Sequence, residues 1–189
     1  MNTVIFLGSP RKKGNTELLL GKIIQGLEEA GEPCELIRLP DLDIHPCIGC
    51  GSCEKTGTCI FKDDMQEMYK KISRADRIII GSPIYFYNVT AQTKLFIDRC
   101  QALWSKKYVL KQPISSIPDR RGYLVSVSAT SGERIFEGAG LTARYVFDAM
   151  DCSYAGDLLV RGLDKRAAIA DRPQELQRAF DFGHDLAKP

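Results

Sequence analysis

Val4-Ile5-Phe6-Leu7, followed directly by Gly8-Ser9-Pro10-Arg11-Lys12-Lys13-Gly14-Asn15-Thr16, is the stretch of sequence that decides the fold. The first four residues are apolar and rich in β-formers, which is typical of a buried strand. The apolar residues that follow recur at helical spacing and predict a helix over 15–30: Leu18, Leu19, Ile23, Ile24 and Leu27. A strand, a glycine-bounded loop and a helix in this order indicate an α/β protein.

The same alternation continues along the chain. Further strands are predicted at 34–39, 78–80, 122–127 and 152–160, and further helices at about 63–74, 90–104, 134–150 and 173–187. Asp63 is the expected N-cap of the second helix. Because crossover connections are right-handed, this order favours a doubly wound parallel sheet with helices on both faces. We expect a single domain over 1–189, with a cysteine-rich loop at about 40–62.

Composition and charge narrow the classes of partner. The chain has 189 residues, 44% of them hydrophobic, and a net charge of only +2. That charge gives no electrostatic reason to expect nucleic acid or an anionic membrane as a partner. No apolar run reaches the roughly 18 residues of a membrane span. The sequence begins with a strand pattern rather than a basic leader, so the expected location is cytoplasmic.

The loop after the first strand has the features of a phosphate site. A phosphate placed there meets free backbone N–H groups and the positive end of the helix dipole. Short donors and one charged donor are added by Ser9, Asn15, Thr16 and Arg11. The segment matches neither the ATP-binding nor the dinucleotide-binding glycine pattern. The alternative interpretation is a polar turn in which Asn15 caps the helix.

The loop after the third strand is apolar and aromatic. It reads Gly81-Ser82-Pro83-Ile84-Tyr85-Phe86-Tyr87-Asn88 and lies at the expected topological switch point of the sheet. A flat flavin ring needs flanking apolar groups and backbone donors for its polar edge, and such a loop supplies both. The alternative is that the three aromatic residues only pack beneath the loop.

Together these loops resemble the flavodoxin-like NAD(P)H-dependent FMN reductase superfamily. The resemblance rests on Gly8-Ser9-Pro10-Arg11 with Gly14-Asn15-Thr16, on Ser82-Pro83-Ile84-Tyr85, and on Thr90-x-x-x-Lys94-x-Phe96-Ile97-Asp98-Arg99. It implies a flavodoxin-like five-stranded sheet in the order 2-1-3-4-5. It also implies that the phosphate of FMN is bound by Ser9, Arg11, Asn15 and Thr16, and that the flavin ring is lined by Pro83, Ile84, Tyr85, Phe86, Tyr87 and Asn88.

The same resemblance implies roles for further segments. The loop after the fourth strand would close over the other edge of the flavin with Ser128, Ala129 and Thr130. No side chain is expected to be catalytic, because hydride transfer to a flavin needs no acid or base from the protein. The charged residues Lys94, Asp98 and Arg99 are expected to be structural, forming an ion-paired helix face.

Four of the seven cysteines fall within 13 residues and are spaced C-x2-C-x2-C-x5-C: Cys47, Cys50, Cys53 and Cys59. Three thiols spaced in this way can wrap one face of a [4Fe–4S] cluster and the fourth can close it, much as in bacterial ferredoxins. Gly49 and Gly51 let the backbone fold tightly around it. The spacing also resembles the iron–sulfur flavoprotein branch of the superfamily. Structural zinc usually needs pairs spaced much further apart. Zinc and thiols without any cluster remain alternatives.

The leading hypothesis is an FMN-dependent oxidoreductase that pairs FMN with a [4Fe–4S] cluster. It would pass electrons from a reduced donor, NAD(P)H or ferredoxin, to a small-molecule or protein acceptor. The resemblance implies a homodimer or homotetramer, and the strand order predicts the cysteine loop and the flavin loops at one rim of the sheet. The alternatives are a clusterless NAD(P)H-dependent flavin or quinone reductase, a passive flavodoxin-like carrier, which the +2 charge disfavours, and a zinc-stabilised non-redox domain.

Overall fold

The computed structural model describes residues 2–188, which are organised around a parallel sheet of five strands in the order β2-β1-β3-β4-β5. The predicted fold class and strand order are confirmed. Ile5 of β1 lies beside Leu36 of β2 on one side and Ile79 of β3 on the other. Met1 and Pro189, which the single-domain prediction includes, lie outside the described residues. The strands are β1 Thr3–Leu7, β2 Cys34–Arg38, β3 Arg77–Pro83, β4 Arg121–Val127 and β5 Ser153–Val160.

Helices cover both faces of the sheet because strand side chains alternate between the faces. Val4 and Phe6 belong to the apolar core on one face, whereas Ile5 and Leu7 belong to the core on the other. The first face carries α3 Met65–Arg74, α4 Ala91–Arg99 and α6 Glu137–Ala149. The second face carries α1 Asn15–Glu29 and α7 Pro173–Leu186.

Several segments differ from the sequence prediction. The long loop contains a 3-10 turn, Leu39–Asp41, and a short helix, α2 Ser52–Thr56. The predicted helix 90–104 is divided into α4 and α5 Gln101–Trp104, and a π turn, Ser105–Val109, follows. The division comes at Cys100. Its N–H donates to Ile97 O, three residues back, so the turn tightens there. None of the helices within residues 2–188 has the length and apolar character of a membrane-crossing segment.

The prediction that Asp63 is the N-cap of the second helix needs correction. The residue at the N-cap of α3 is Asp64, whose side chain makes no capping hydrogen bond. The Asp63 carboxylate does accept from the Met65 N–H at 3.2 Å, but it also accepts from the His45 N–H and pairs with Arg99. It is therefore the centre of a tertiary contact, which local sequence pattern does not reveal.

Candidate functional site

The loops that leave β1, β3, β4 and β5 lie at one rim of the sheet, where hydrogen bonds connect the carboxyl ends of neighbouring strands and the loops that follow them. The Gly8 N–H donates to Gly81 O, the Ile84 N–H to Val127 O and the Leu163 N–H to Ser128 O. Gly81 and Val127 are still within β3 and β4, so these bonds link neighbouring strands at or just beyond their carboxyl ends. One cleft at this rim is lined by residues from all four loops: Ser9, Arg11, Gly14, Asn15, Thr16, Pro83, Ile84, Tyr85, Val127, Ala129, Leu163, Asp164 and Arg166.

The phosphate end of the cleft lies at the start of α1. The first N–H groups of a helix have no acceptors within it, so those of Asn15 and Thr16 are free for an anion. The Thr16 side-chain Oγ1 is buried and has no hydrogen-bond partner within residues 2–188. A buried hydroxyl without a partner costs about 1–3 kcal/mol. A bound phosphate oxygen would satisfy it.

Asn15 lines the cleft, but its side chain turns toward the loop after β5. Its Nδ2 donates to Leu163 O at 3.2 Å and Lys165 O at 2.9 Å, and its Oδ1 accepts from the Ile169 N–H at 3.0 Å. The N-cap of α1 is Gly14, so the alternative that Asn15 caps the helix is wrong. The Asn15 side chain instead fixes the β5 loop against the phosphate loop.

The apolar wall of the cleft comes from the first half of the β3 loop. Pro83, Ile84 and Tyr85 line the cleft, whereas Phe86, Tyr87 and Asn88 do not. Tyr85 and Asn88 exchange backbone hydrogen bonds and close a two-residue turn in which Phe86 and Tyr87 have φ values of 49° and 63°. Asparagine and glycine are preferred at such positions. The turn therefore holds two exposed aromatic side chains in a conformation that costs about 1–2 kcal/mol per residue.

The β4 loop contributes one of its three predicted residues to the cleft. Ala129 lines it, while the Ser128 hydroxyl is turned back to donate to Thr130 O at 2.8 Å. The Ser128 backbone links the loop to its neighbours, because its N–H donates to Val160 O. Ser128 thus fixes the loop, and Thr130 lies outside the cleft.

The four clustered cysteines line one cavity of about 140 Å³. An engineered cavity of about 150 Å³ holds one benzene molecule, so the space suits a polyatomic group rather than a single ion. Within residues 2–188 no three His, Cys, Asp or Glu side chains are grouped as ligands of one metal ion. Gly49 and Gly51 have φ values of +65° and +70°, the left-handed conformation that lets the backbone turn tightly here.

A buried ion pair anchors this cysteine loop on both sides. The Arg99 guanidinium donates to the Asp63 carboxylate at 2.5 Å and 3.1 Å and to His45 O at 2.7 Å. Burial alone would raise the pKa of Asp63, but the hydrogen bonds from Arg99 and the His45 N–H outweigh it and lower that pKa to about 2. Lys94 pairs with Asp98 on the exposed side of α4. The prediction that Lys94, Asp98 and Arg99 are ion-paired is confirmed, but they do not share one helix face, since Arg99 points inward.

Comparison with known proteins identifies the family. Residues 1–137 match the family model of the NADPH-dependent FMN reductases. The chain belongs to this family. That confirms the predicted superfamily.

Relatives of this FMN reductase family member carry the name of the iron–sulfur branch. An iron-sulfur flavoprotein of Methanocaldococcus jannaschii is 44% identical over 103 residues, 54% of this chain and 53% of that protein. One from Archaeoglobus fulgidus is 42% identical over 99 residues, 52% of this chain and 45% of that protein. The chain therefore spans about half the length of the curated relatives it matches. The resemblance to that branch is confirmed.

Solved structures confirm the flavodoxin-like fold of this family member. An NAD(P)H:quinone oxidoreductase from Methanothermobacter marburgensis superposes with a TM-score of 0.75 at 19% identity, covering 100% of this chain and 98% of that one. A flavodoxin from the domain Archaea superposes with a TM-score of 0.58 at 17% identity, over 100% and 97% of the two chains. At these identities the likeness concerns the fold alone.

The sequence interpretation missed the loop after β5. Leu163, Asp164 and Arg166 line the cleft, and the Arg166 guanidinium donates to Lys12 O in the phosphate loop. Two cationic side chains, Arg11 and Arg166, therefore flank the phosphate end. A signal was present, because every loop at the carboxyl end of a parallel strand faces the same rim.

The cysteine cavity does not lie at the same rim as the cleft. Thr90, just before α4, donates its hydroxyl hydrogen to Gly8 O in the phosphate loop. At the other end of α4, Arg99 lines the cysteine cavity together with Gln101 and Ala102. Arg99 follows Thr90 by nine positions along the helix, which is about 14 Å of axial rise. The expectation of a single rim is therefore wrong, because the loop after β2 folds back along α4.

Proposed function

We propose that this protein is an FMN-dependent oxidoreductase that also holds a [4Fe–4S] cluster and transfers electrons between a reduced donor, NAD(P)H or ferredoxin, and an acceptor. The observation that carries the cluster part is the cavity lined jointly by Cys47, Cys50, Cys53 and Cys59. All four are free thiols. Soft thiolate donors in this number suit an iron–sulfur cluster.

The residues of the rim cleft fit FMN. The phosphate would be held by the first N–H groups of α1, the unpaired Thr16 hydroxyl, Ser9 and the cations Arg11 and Arg166. The ring would lie against the wall of Pro83, Ile84 and Tyr85, with Ala129 at its other edge. Bound FMN supplies two-electron chemistry, and the protein contributes position, electrostatics and exclusion of water.

We propose in addition that the protein is a homodimer or homotetramer. Within one chain the cleft and the cavity adjoin opposite ends of α4, whose axial rise is about 14 Å. Exposed apolar side chains on α5 and α6, among them Trp104, Leu141 and Tyr145, line a groove that shares Gln101 with the cysteine cavity. Their burial between copies would explain their exposure in a single chain. Sedimentation of the purified protein measures the assembly, and a monomer would contradict this part.

Anaerobic purification tests the central proposal. FMN, iron and acid-labile sulfide are quantified per chain, in the parent protein and in two variants. Cys50→Ser is expected to lose the iron and keep the FMN. The matched control is Cys34→Ser, a half-buried cysteine outside the cavity, which is expected to keep both.

Each of the other possible outcomes would support a different function for this protein. FMN with neither iron nor sulfide would favour the clusterless flavin or quinone reductase, the second candidate that the family supports. Zinc in place of iron, without FMN, would favour a zinc-stabilised binding domain. Iron that persists in Cys50→Ser would contradict the ligand assignment. FMN without oxidation of NAD(P)H or reduced ferredoxin would favour a passive carrier.

A further inference from the structure

A buried serine hydroxyl is directed at one of the clustered cysteines. Ser105 has no exposed surface, and its Oγ lies 3.4 Å from the Sγ of Cys53 in the geometry of a donated hydrogen bond. A thiolate has no proton to give, so when Cys53 is a ligand the hydroxyl of Ser105 must be the donor. Among the four clustered cysteines within residues 2–188, Cys53 is the one that receives such a bond from a side chain.

Local structure fixes the position of this hydroxyl. Ser105 begins the π turn, and its carbonyl accepts from the Leu110 N–H five residues later. π turns inside or after α-helices often occur at functional sites. The turn contacts α2, which carries Cys53, on one side. On the other side Lys107 reaches Asp148 and Asp151 of the α6 end at 3.2 Å and 3.1 Å.

A buried cation also lies beside the clustered cysteines. The Arg99 side chain is fully buried and lines the cavity. Its Nη atoms are engaged by Asp63 and His45, but its Nε–H has no acceptor within residues 2–188. Helix α4 and the π turn thus place two side-chain donors beside the thiols, the Arg99 Nε–H among the lining residues and the Ser105 hydroxyl behind Cys53.

We propose that Ser105 is a positioning residue that sets the reduction potential of the iron–sulfur cluster through its hydrogen bond to Cys53. This proposal rests on the proposed function, since it requires the cluster. It assigns to Ser105 no role in cluster assembly and none in binding FMN.

The direction of the effect follows from charge. Reduction adds one electron to the cluster, taken from the donor, and so adds one negative charge that is shared by the ligand sulfurs. A donor hydrogen bond to sulfur stabilises the more negative state and raises the reduction potential. Removing the hydroxyl should lower the equilibrium constant for reduction about tenfold, which corresponds to a shift of about 59 mV for one electron.

The test is an anaerobic spectroelectrochemical titration of the holoprotein with Ser105→Ala. The cluster potential is expected to become more negative, with iron and sulfide per chain unchanged. The FMN potential, read in the same sample, is expected to stay constant and serves as an internal control. Ser105→Thr keeps the hydroxyl and should keep a parental cluster potential, as should Ser153→Ala at an exposed serine remote from the cavity.

Several results would overturn the proposal. An unchanged cluster potential in Ser105→Ala would show that the hydrogen bond has no influence. Loss of iron from Ser105→Ala would make the residue part of assembly rather than tuning. An equal shift in Ser105→Thr would assign the effect to packing. A parent protein that binds FMN but no iron would refute the proposed cluster as well, which separates that failure from the first three.

Discussion

The Arg99 guanidinium donates hydrogen bonds of 2.5 Å and 3.1 Å to the Asp63 carboxylate, which lies 36 positions away in the sequence. The Asp63 side chain is 3% exposed, and that of Arg99 is fully buried. Through His45 O and the His45 N–H, the pair also holds the segment that leads into Cys47. One buried ion pair therefore connects the end of α4 with both ends of the cysteine loop.

Arg99→Ala is expected to lower the free energy of unfolding by about 3–5 kcal/mol, because it leaves Asp63 buried without a counter-charge. The matched control is Lys94→Ala on the same helix, which breaks the exposed pair with Asp98 and should cost less than about 1 kcal/mol. Urea unfolding followed by circular dichroism measures both. Equal costs for the two variants would mean that the Arg99 pair is no more important than a surface one.

The ionisation of Asp63 should also affect how the stability of the protein depends on pH in acid. Folding lowers the pKa of its carboxyl from 3.8 to about 2, so the ionised group stabilises the folded state fully above pH 3.8. This contribution is lost as the pH falls through 2. In Asp63→Asn, the midpoint of unfolding should be lower than that of the parent at neutral pH. It should fall less steeply than the parent's as the pH drops from 3.8 to 2. Asp98→Asn, which changes an exposed carboxylate, should keep the parental slope; a parental slope in Asp63→Asn would contradict the prediction.

Thr16→Val is expected to lower the affinity for FMN without lowering the stability of the apoprotein. Valine has nearly the same shape but lacks the hydroxyl that is buried without a partner, so the apoprotein should be as stable as the parent or slightly more stable. FMN affinity should fall about 10- to 100-fold, the effect of losing a hydrogen bond of about 1.5–3 kcal/mol to a charged group. Fluorescence titration measures it.

Two controls sharpen this prediction. Riboflavin, which lacks the phosphate, should bind the parent and Thr16→Val equally. Thr3→Val removes another buried, unpartnered hydroxyl, in β1, and should leave FMN affinity unchanged. A drop in riboflavin affinity equal to that for FMN would place Thr16 at the ring rather than at the phosphate.

Tyr87→Gly tests the strain in the β3 loop. Tyr87 has a φ of 63°, which glycine adopts without steric cost. Relief of about 1–2 kcal/mol should offset the roughly 0.5–1 kcal/mol of chain entropy that glycine costs on folding. The variant should therefore be as stable as the parent or more stable by up to about 1.5 kcal/mol.

The control for that variant is Gln177→Gly, at an exposed position inside α7, which should lose about 1 kcal/mol. Thermal unfolding compares the two. A destabilised Tyr87→Gly would show that the tyrosine side chain makes contacts that outweigh its backbone strain. A stable Tyr87→Gly that oxidises the electron donor more slowly would indicate that the strained turn presents the aromatic ring for function.

Much of this protein could be predicted from local pattern. Val4 to Leu7 alternate between two apolar cores, and the spacing of Leu19, Ile23 and Leu27 predicted the buried face of α1. Parallel strands bring their carboxyl ends to one rim, so Ser9 and Tyr85 could be expected in a common cleft, where the structure has them. The spacing of the cysteines likewise anticipated their common cavity.

Tertiary structure alone decided how these parts are held and how far apart they lie. Arg120 appears in the sequence as one more cation in a surface connection, yet it is buried and donates to the carbonyl oxygens of Ala75 and Met150 at the ends of α3 and α6. Arg99 pairs with Asp63, and Ser105 meets Cys53, across 36 and 52 positions. Periodicity and motif spacing report neighbours a few residues apart, because those are fixed by backbone geometry. Contacts between distant residues depend on how a connecting loop folds back over the helices, and no local pattern in the chain records that path.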